Sequence, residues 1–214
     1  INAQAIFFTG DLVNTNSNET LPFISTLSRL DATHGVFSVF GNHDYSEYGR
    51  WESKEAQIAN HKLLYDYEAQ AGWKLLNNEH VTLRQGNDSI IVIGVENIGE
   101  PPFKTYGDLK KAYPNLNDNN FKILLSHNPT HWRNEVTKSS NIDITLSGHT
   151  HAMQSIFSFF GKKYSLASKK YAEWGGLYSE KNQHLYVNIG IGCVGIPARF
   201  GAKPEITVIT LRKK

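Results

Sequence analysis

The sequence predicts a mixed α/β sandwich formed as one domain over residues 1–214. Three observations point there. Short apolar runs rich in β-branched and aromatic residues alternate with helical patterns early in the chain, and strands dominate late. No linker, internal repeat or low-complexity tract divides the 214 residues, a length that holds one substantial core but not two ordinary domains.

Taken in order, residues 5–9 read as a buried strand, 21–30 as a short helix and 35–40 as a second strand. Residues 52–71 carry Ala56, Ala59, Leu63, Tyr67 and Ala71 at spacings of three and four, which predicts an amphipathic helix. Residues 81–83 and 89–95 predict a strand pair across the turn Gln85-Gly86-Asn87-Asp88. A strand over 121–126, a helix near 131–138 and a strand over 142–146 follow. From Met153 onward the pattern is mostly β, ending in strands over 185–189 and 206–211.

Bulk composition is that of an ordinary globular chain, with 40% hydrophobic and 20% charged residues and a net charge of +2. Before Arg212-Lys213-Lys214 no Lys/Arg run exceeds two, so nucleic acid is not an expected partner. No stretch approaches the ~18 apolar residues that cross a bilayer. The lone Cys193 cannot pair internally, which leaves cytoplasm and cell envelope both open. The opening Ile1-Asn2-Ala3-Gln4 lacks an initiating Met and runs directly into apolar residues. It reads as the interior of a gene product, with any membrane-associating segment upstream.

Four motifs follow apolar strands: Thr9-Gly10-Asp11, Gly41-Asn42-His43-Asp44, Ser126-His127-Asn128 and Gly148-His149-Thr150-His151. In open α/β sheets ligands bind beyond the carboxyl ends of strands. A carboxylate, an amide oxygen and three imidazoles form a mixed O/N donor set that suits Mn, Fe, Zn or Co and fits Ca²⁺ poorly. The glycines before Asp11, Asn42 and His149 would let the backbone turn sharply and approach an ion closely. Each motif alone has a structural reading, as a turn or as exposed neighbours. Their common position after four apolar strands favours a shared site.

This motif set resembles that of the calcineurin-like metallophosphoesterases, whose order is Gly-Asp, Gly-Asn-His-Asp/Glu, His, Gly-His-x-His. The resemblance spans Gly10 to His151. It implies a four-layer α/β/β/α sandwich of the metallophosphoesterase type and a centre of two divalent metal ions. Asp11 would bridge the two ions, Asn42, His127 and His149 would complete the second, and His151 would belong to the first. His43 would be the catalytic histidine beside the phosphate, oriented by Asp44. The family's opening Asp-x-His has no match here, so the fold is expected to lack its first strand and first motif, and one ion at most to be held firmly.

The stretch from Leu185 to Ile206 more weakly resembles a bacterial branch that includes membrane-anchored or exported phosphoesterases and some lipid pyrophosphate hydrolases. Within it Arg199 is either a phosphate clamp through its guanidinium fork or a surface arginine. The run Ile156-Phe157-Ser158-Phe159-Phe160, with Lys162-Lys163 and Lys169-Lys170 beyond it, fits two descriptions. It is a strand and turn with solvated lysines, or an aromatic and basic edge that rests on a membrane.

The expected activity is hydrolysis of a phosphomonoester, phosphodiester or pyrophosphate bond, on a small phosphoester or a lipid-linked pyrophosphate, by a metal-bound hydroxide. An impaired fragment or a non-catalytic scaffold of the same fold is the alternative. A scaffold has no use for a histidine such as His43 aimed at the phosphate. A nuclease would call for a basic groove with stacking aromatics, against the even spread of charge.

Overall fold

The computed structural model describes residues 2–213. Three short parallel strands, β1 (Ile6–Phe8), β2 (Val36–Ser38) and β3 (Trp73–Leu75), make a small sheet in that order. A six-stranded sheet is assembled from β4 (Glu79–Gln85), β5 (Asp88–Gly94), β6 (Phe121–Leu125) and β7 (Ile144–Ser147), and from the late hairpin β10 (Gly176–Glu180) and β11 (Gln183–Val187). Its order is β10-β11-β7-β6-β5-β4, with four parallel strands at the centre and an antiparallel strand at each edge. Strands β8 (Ile156–Phe159) and β9 (Lys162–Ser165) pair only with each other.

The period of two along each strand explains how the sheets stack. Phe7 and Phe37 of the small sheet meet Val92, Ile123 and Leu125 of the large one in a single apolar layer. The opposite residues of β1 and β2, Ile6, Phe8 and Val36, face outward against Leu27 of α1 (Ile24–Leu27) and against Ala71, which caps α2 (Lys54–Gln70). On the far side of the large sheet, Ile91, Ile93, Leu124 and Leu185 pack against Leu109 and Ala112 of α3 (Leu109–Ala112) and against Trp132 and Val136. The last two lie on a π-helical turn, Trp132–Val136, that runs into α4 (Thr137–Ser139). The molecule is therefore four layers deep, α/β/β/α, as the motif resemblance implied.

Helix α2 corrects one expectation. Its buried stripe is Asn60, Leu64 and Glu68, while Ala59 and Leu63 face solvent. Two of the three inward positions are polar, which is why an apolar count selects the neighbouring stripe. Both are satisfied at a distance: Asn60 accepts from Ser17 N–H and donates to Ser46 Oγ, and Glu68 accepts from Ser38 Oγ–H. Leu64 between them is fully buried, which contributes about 1.5–3 kcal/mol.

Three other differences are local. The segment expected as a helix over 21–30 begins in the end of a 3₁₀ helix, Ser17–Phe23, and is α-helical only over the four residues of α1. Strand β3, three residues long after Gly72 at φ +77°, was not expected. Residues 206–211 join no strand ladder, and Ile206, Val208, Ile209 and Leu211 are exposed. Among the described residues nothing pairs with the outer edge of β1.

Candidate metal centre

Loops leaving the carboxyl ends of β1, β2, β6 and β7 converge on His127. Its Nδ1–H donates to the Thr9 carbonyl at 2.7 Å, so in the neutral ring Nε2 carries the lone pair. Around that nitrogen stand Asp11 Oδ2 at 3.1 Å, Asn42 Oδ1 at 3.2 Å and His149 Nδ1 at 3.2 Å. Donor atoms of Asp11, His127 and His149 all lie within 4.8 Å of one another. Four electron-pair donors crowded this closely repel unless a proton or a cation sits among them. The donor set therefore fits a divalent transition metal.

Local backbone geometry brings them together. Gly10 sits at φ +95°, and a Cβ there would meet Gly41 N at 2.4 Å and His127 Nδ1 at 2.7 Å. A Cβ on Gly41 would meet Asp11 Oδ1 at 2.2 Å, so the β1 and β2 loops touch through two glycines. Asp11, His149 and His151 all adopt left-handed backbone, with φ of 59°, 69° and 49°. Non-glycine residues pay for that conformation and tend to gather at functional sites.

Charge is tightly coupled here. Burial pushes the Asp11 carboxyl up, but His127 and His43 hold it below the usual range. Burial lowers His127 and the Asp11 carboxylate more than offsets that, leaving it raised. Burial and the neighbouring His127 drive His149 down to about 3, so its ring is a neutral donor at physiological pH. His149 Nε2 shares a 2.9 Å hydrogen bond with Tyr171 Oη, which sets the ring's orientation.

His151 is set apart from this knot. Its Nδ1 is buried without a hydrogen-bond partner, and the ring lies beside Gly190. The structure thus groups Asp11, Asn42, His127 and His149 and keeps His151 as a neighbour with an open nitrogen. His43 lies on the other side: its backbone N–H donates to Asp11 Oδ1 at 2.9 Å, and its Nδ1–H donates to the Asn14 carbonyl at 2.7 Å. Its ring tilts against Tyr48 at 4.5 Å between centroids, and Tyr48 Oη accepts from Asn42 Nδ2–H, which turns Asn42 Oδ1 toward His127.

Two expected roles do not match the geometry. Asp44 makes no bond to the His43 ring. Its buried carboxylate accepts backbone N–H groups from Asp11, Leu12 and Gly41 at 2.7, 2.8 and 2.7 Å. Burial and the Asp11 charge push Asp44 up to about 7 against those donors. The orienting partner of His43 is instead the Asn14 carbonyl. Arg199, expected as a phosphate clamp, gives three of its N–H groups to the carbonyls of Ala202, Gly192 and Ile189. That fork ties the 189–202 loop to itself. Asn14, Tyr48 and Tyr171 escaped the sequence reading because none belongs to a strand-end motif.

The loop so tied forms one wall of the site. A cleft of about 480 Å³ is lined by Asn14, His43, Cys193, Val194, Ile196 and Pro197 among others. A second, of about 370 Å³, lies across the same loop against His149, His151, Lys170 and Tyr171.

A family model for calcineurin-like phosphoesterases matches residues 1–153. The chain is 33% identical over 215 residues to the uncharacterized metallophosphoesterase YkuE of Bacillus subtilis, covering 97% of this chain and 67% of that protein. It is 32% identical over 208 residues to an uncharacterized metallophosphoesterase of Helicobacter pylori, covering 96% of this chain and 50% of the other. Among solved structures, the NAD nucleotidase of Haemophilus influenzae has a similar fold, with a TM-score of 0.50 at 14% identity over 86% of this chain and 39% of that one. The chain spans between half and two thirds of the length of these two curated relatives.

Proposed function

The chain belongs to the calcineurin-like phosphoesterase family, and on that premise we propose that it hydrolyses a phosphomonoester, phosphodiester or pyrophosphate bond at the knot around His127. Family membership supports metal-dependent phosphoester hydrolysis in general. The observation that carries the specific reading is the convergence of Asp11 Oδ2, Asn42 Oδ1 and His149 Nδ1 on His127 Nε2 at 3.1–3.2 Å. Those four residues would hold one divalent ion, and Asp11 with His151 would contribute to a second. Bound ions would neutralise the phosphoryl oxygens and bring a water's pKa toward ~7.

The remaining work falls to the chain's own groups. The Asn14 carbonyl fixes the His43 ring by accepting its Nδ1–H, which leaves Nε2 as the ring nitrogen available at the cleft. From there His43 stabilises charge on the phosphate or gives its proton to the departing oxygen. Tyr171 and the Thr9 carbonyl keep the two metal-facing imidazoles in their donor tautomers. Asp11 and His151 are the described residues that would contribute to a second ion.

Paired substitutions separate binding from chemistry. His43→Ala keeps the backbone bond to Asp11, so its metal content should match the parent's while turnover of a chromogenic phosphodiester falls about 10²–10⁴-fold. His127→Ala should lose the metal as well as the rate. Full turnover by metal-replete His43→Ala would remove His43 from the mechanism. Metal retained at parental level by His127→Ala would dissolve the proposed centre.

A further inference from the structure

We propose that the face built from β8, β9 and the tip of the 189–202 loop docks on an anionic lipid bilayer. Hairpin β8–β9 leaves the two main sheets and is covered by neither. Phe160 at its tip is 93% exposed and Phe159 is 67% exposed. Cross-strand register places Phe157 opposite Tyr164 and Phe159 opposite Lys162, so three aromatic rings share one face of the ribbon. An isolated two-stranded hairpin is marginally stable in water. Keeping its large aromatics in solvent is a cost that a covering surface would remove.

The apolar face continues past the hairpin. Phe200 and Ile196, each 65% exposed, belong to the 189–202 loop. That loop is sewn to the hairpin root by Ile156 N–H to the Phe200 carbonyl at 2.8 Å and Phe200 N–H to the Gln154 carbonyl at 2.7 Å. Ile196 also lines both clefts of the metal centre, so the apolar face is the outer rim of that site.

Charge on this face selects the occupant. Residues 153–172 and 189–204 contain six of the chain's twenty-two Lys and Arg and none of its twenty Asp and Glu. The rest of the molecule keeps sixteen basic against twenty acidic residues and is net negative. Lys162, Lys163, Lys169, Lys170 and Lys203 are exposed, and among the described residues none of them makes an ion pair. A second copy of the chain would bring the same positive face and be repelled. Protruding aromatic rings ringed by lysines suit a surface that takes apolar groups below a layer of negative headgroups.

The test is co-sedimentation of the whole chain with phosphatidylcholine vesicles, plain or with about one third phosphatidylglycerol. Binding should be at least tenfold stronger to the anionic vesicles and weaken as salt rises. F159S/F160S and K162Q/K163Q should each lose at least tenfold, while their melting temperatures and turnover of a soluble phosphodiester stay at parental values. Absence of sedimentation, equal binding to both vesicles, or full binding by either variant would overturn the proposal. So would a concentration-dependent dimer that F159S/F160S abolishes, since it would give the face to a second copy. None of these readouts depends on which phosphoester is hydrolysed.

Discussion

The carboxylate of Asp44 accepts the backbone N–H of Asp11 at 2.7 Å. It therefore clasps the β1 loop to the β2 loop, and Asp44 holds the backbone of Asp11, the proposed metal ligand, rather than the ring of its neighbour His43. Asp44→Asn would set an amide N–H₂ against backbone N–H donors. The expected result is a lower melting temperature with metal affinity down about 10–100-fold, as for other partners of metal-holding residues. Intact metal binding with a pure loss of turnover would return Asp44 to the role of orienting His43.

Glu68 gives a pH signature. Burial raises its carboxyl from the ordinary 4.5 to about 8, with Ser38 Oγ–H as its donor. The folded chain therefore holds a proton there that the unfolded chain has released. Its contribution is fully present below about 4.5 and is lost as pH rises toward about 8. Glu68→Gln stays neutral and keeps an acceptor for Ser38. Denaturant melts should show the variant within about 1 kcal/mol of the parent at low pH and ahead of it by at least about 2 kcal/mol above the folded pKa. Stability curves that run parallel across this range would show that Glu68 is ionised in the fold.

Arg199 is predicted to act on loop order. Arg199→Ala removes three bonds to carbonyls of the 189–202 loop, so limited proteolysis within that loop should accelerate. Inhibition by inorganic phosphate should change less than about threefold, below the 1.4 kcal/mol that marks a factor of ten. A tenfold weaker phosphate with unchanged loop protection would instead make Arg199 the clamp.

Metal removal should be readable in stability. An ion that binds only the folded chain, supplied at roughly a hundredfold over its dissociation constant, stabilises by about 2.7 kcal/mol. Mn²⁺ should raise the melting temperature of the 214-residue chain, and a chelator should reverse the gain. His127→Ala should show no gain, and His151→Ala should keep it, because the four-donor knot excludes His151. A stoichiometry of two tight ions per chain would refute the uneven division of donors.

The four strand-end motifs were legible because each is local: an apolar run, a glycine, then a donor. What stayed hidden depended on distant partners. Asn60 and Glu68 face inward because Ser17, Ser46 and Ser38 meet them there, and nothing within α2 announces those serines. Residues 206–211 alternate like a strand yet join no ladder among the described residues, because alternation marks a strand-like segment without choosing its partner edge. The sequence marked Asp44 and Arg199 as functional by type, but their actual contacts are backbone groups, which no residue pattern encodes. Tyr171 is fixed to His149 across 22 positions that include the whole β8–β9 hairpin, with no single periodicity to carry the signal.

The bond from His127 to the Thr9 carbonyl closes a span of 118 residues, and that separation has a consequence in time. As the chain leaves the ribosome, Asp11 and Asn42 emerge long before either metal-facing imidazole exists. The small sheet and α2 can form early, but the knot cannot close until β6 and β7 have been made and docked. Closing so long a loop is entropically costly and slow. Ion capture by the proposed centre would therefore be a late event in biogenesis, and metal uptake during refolding would report completion of the large sheet rather than its beginning.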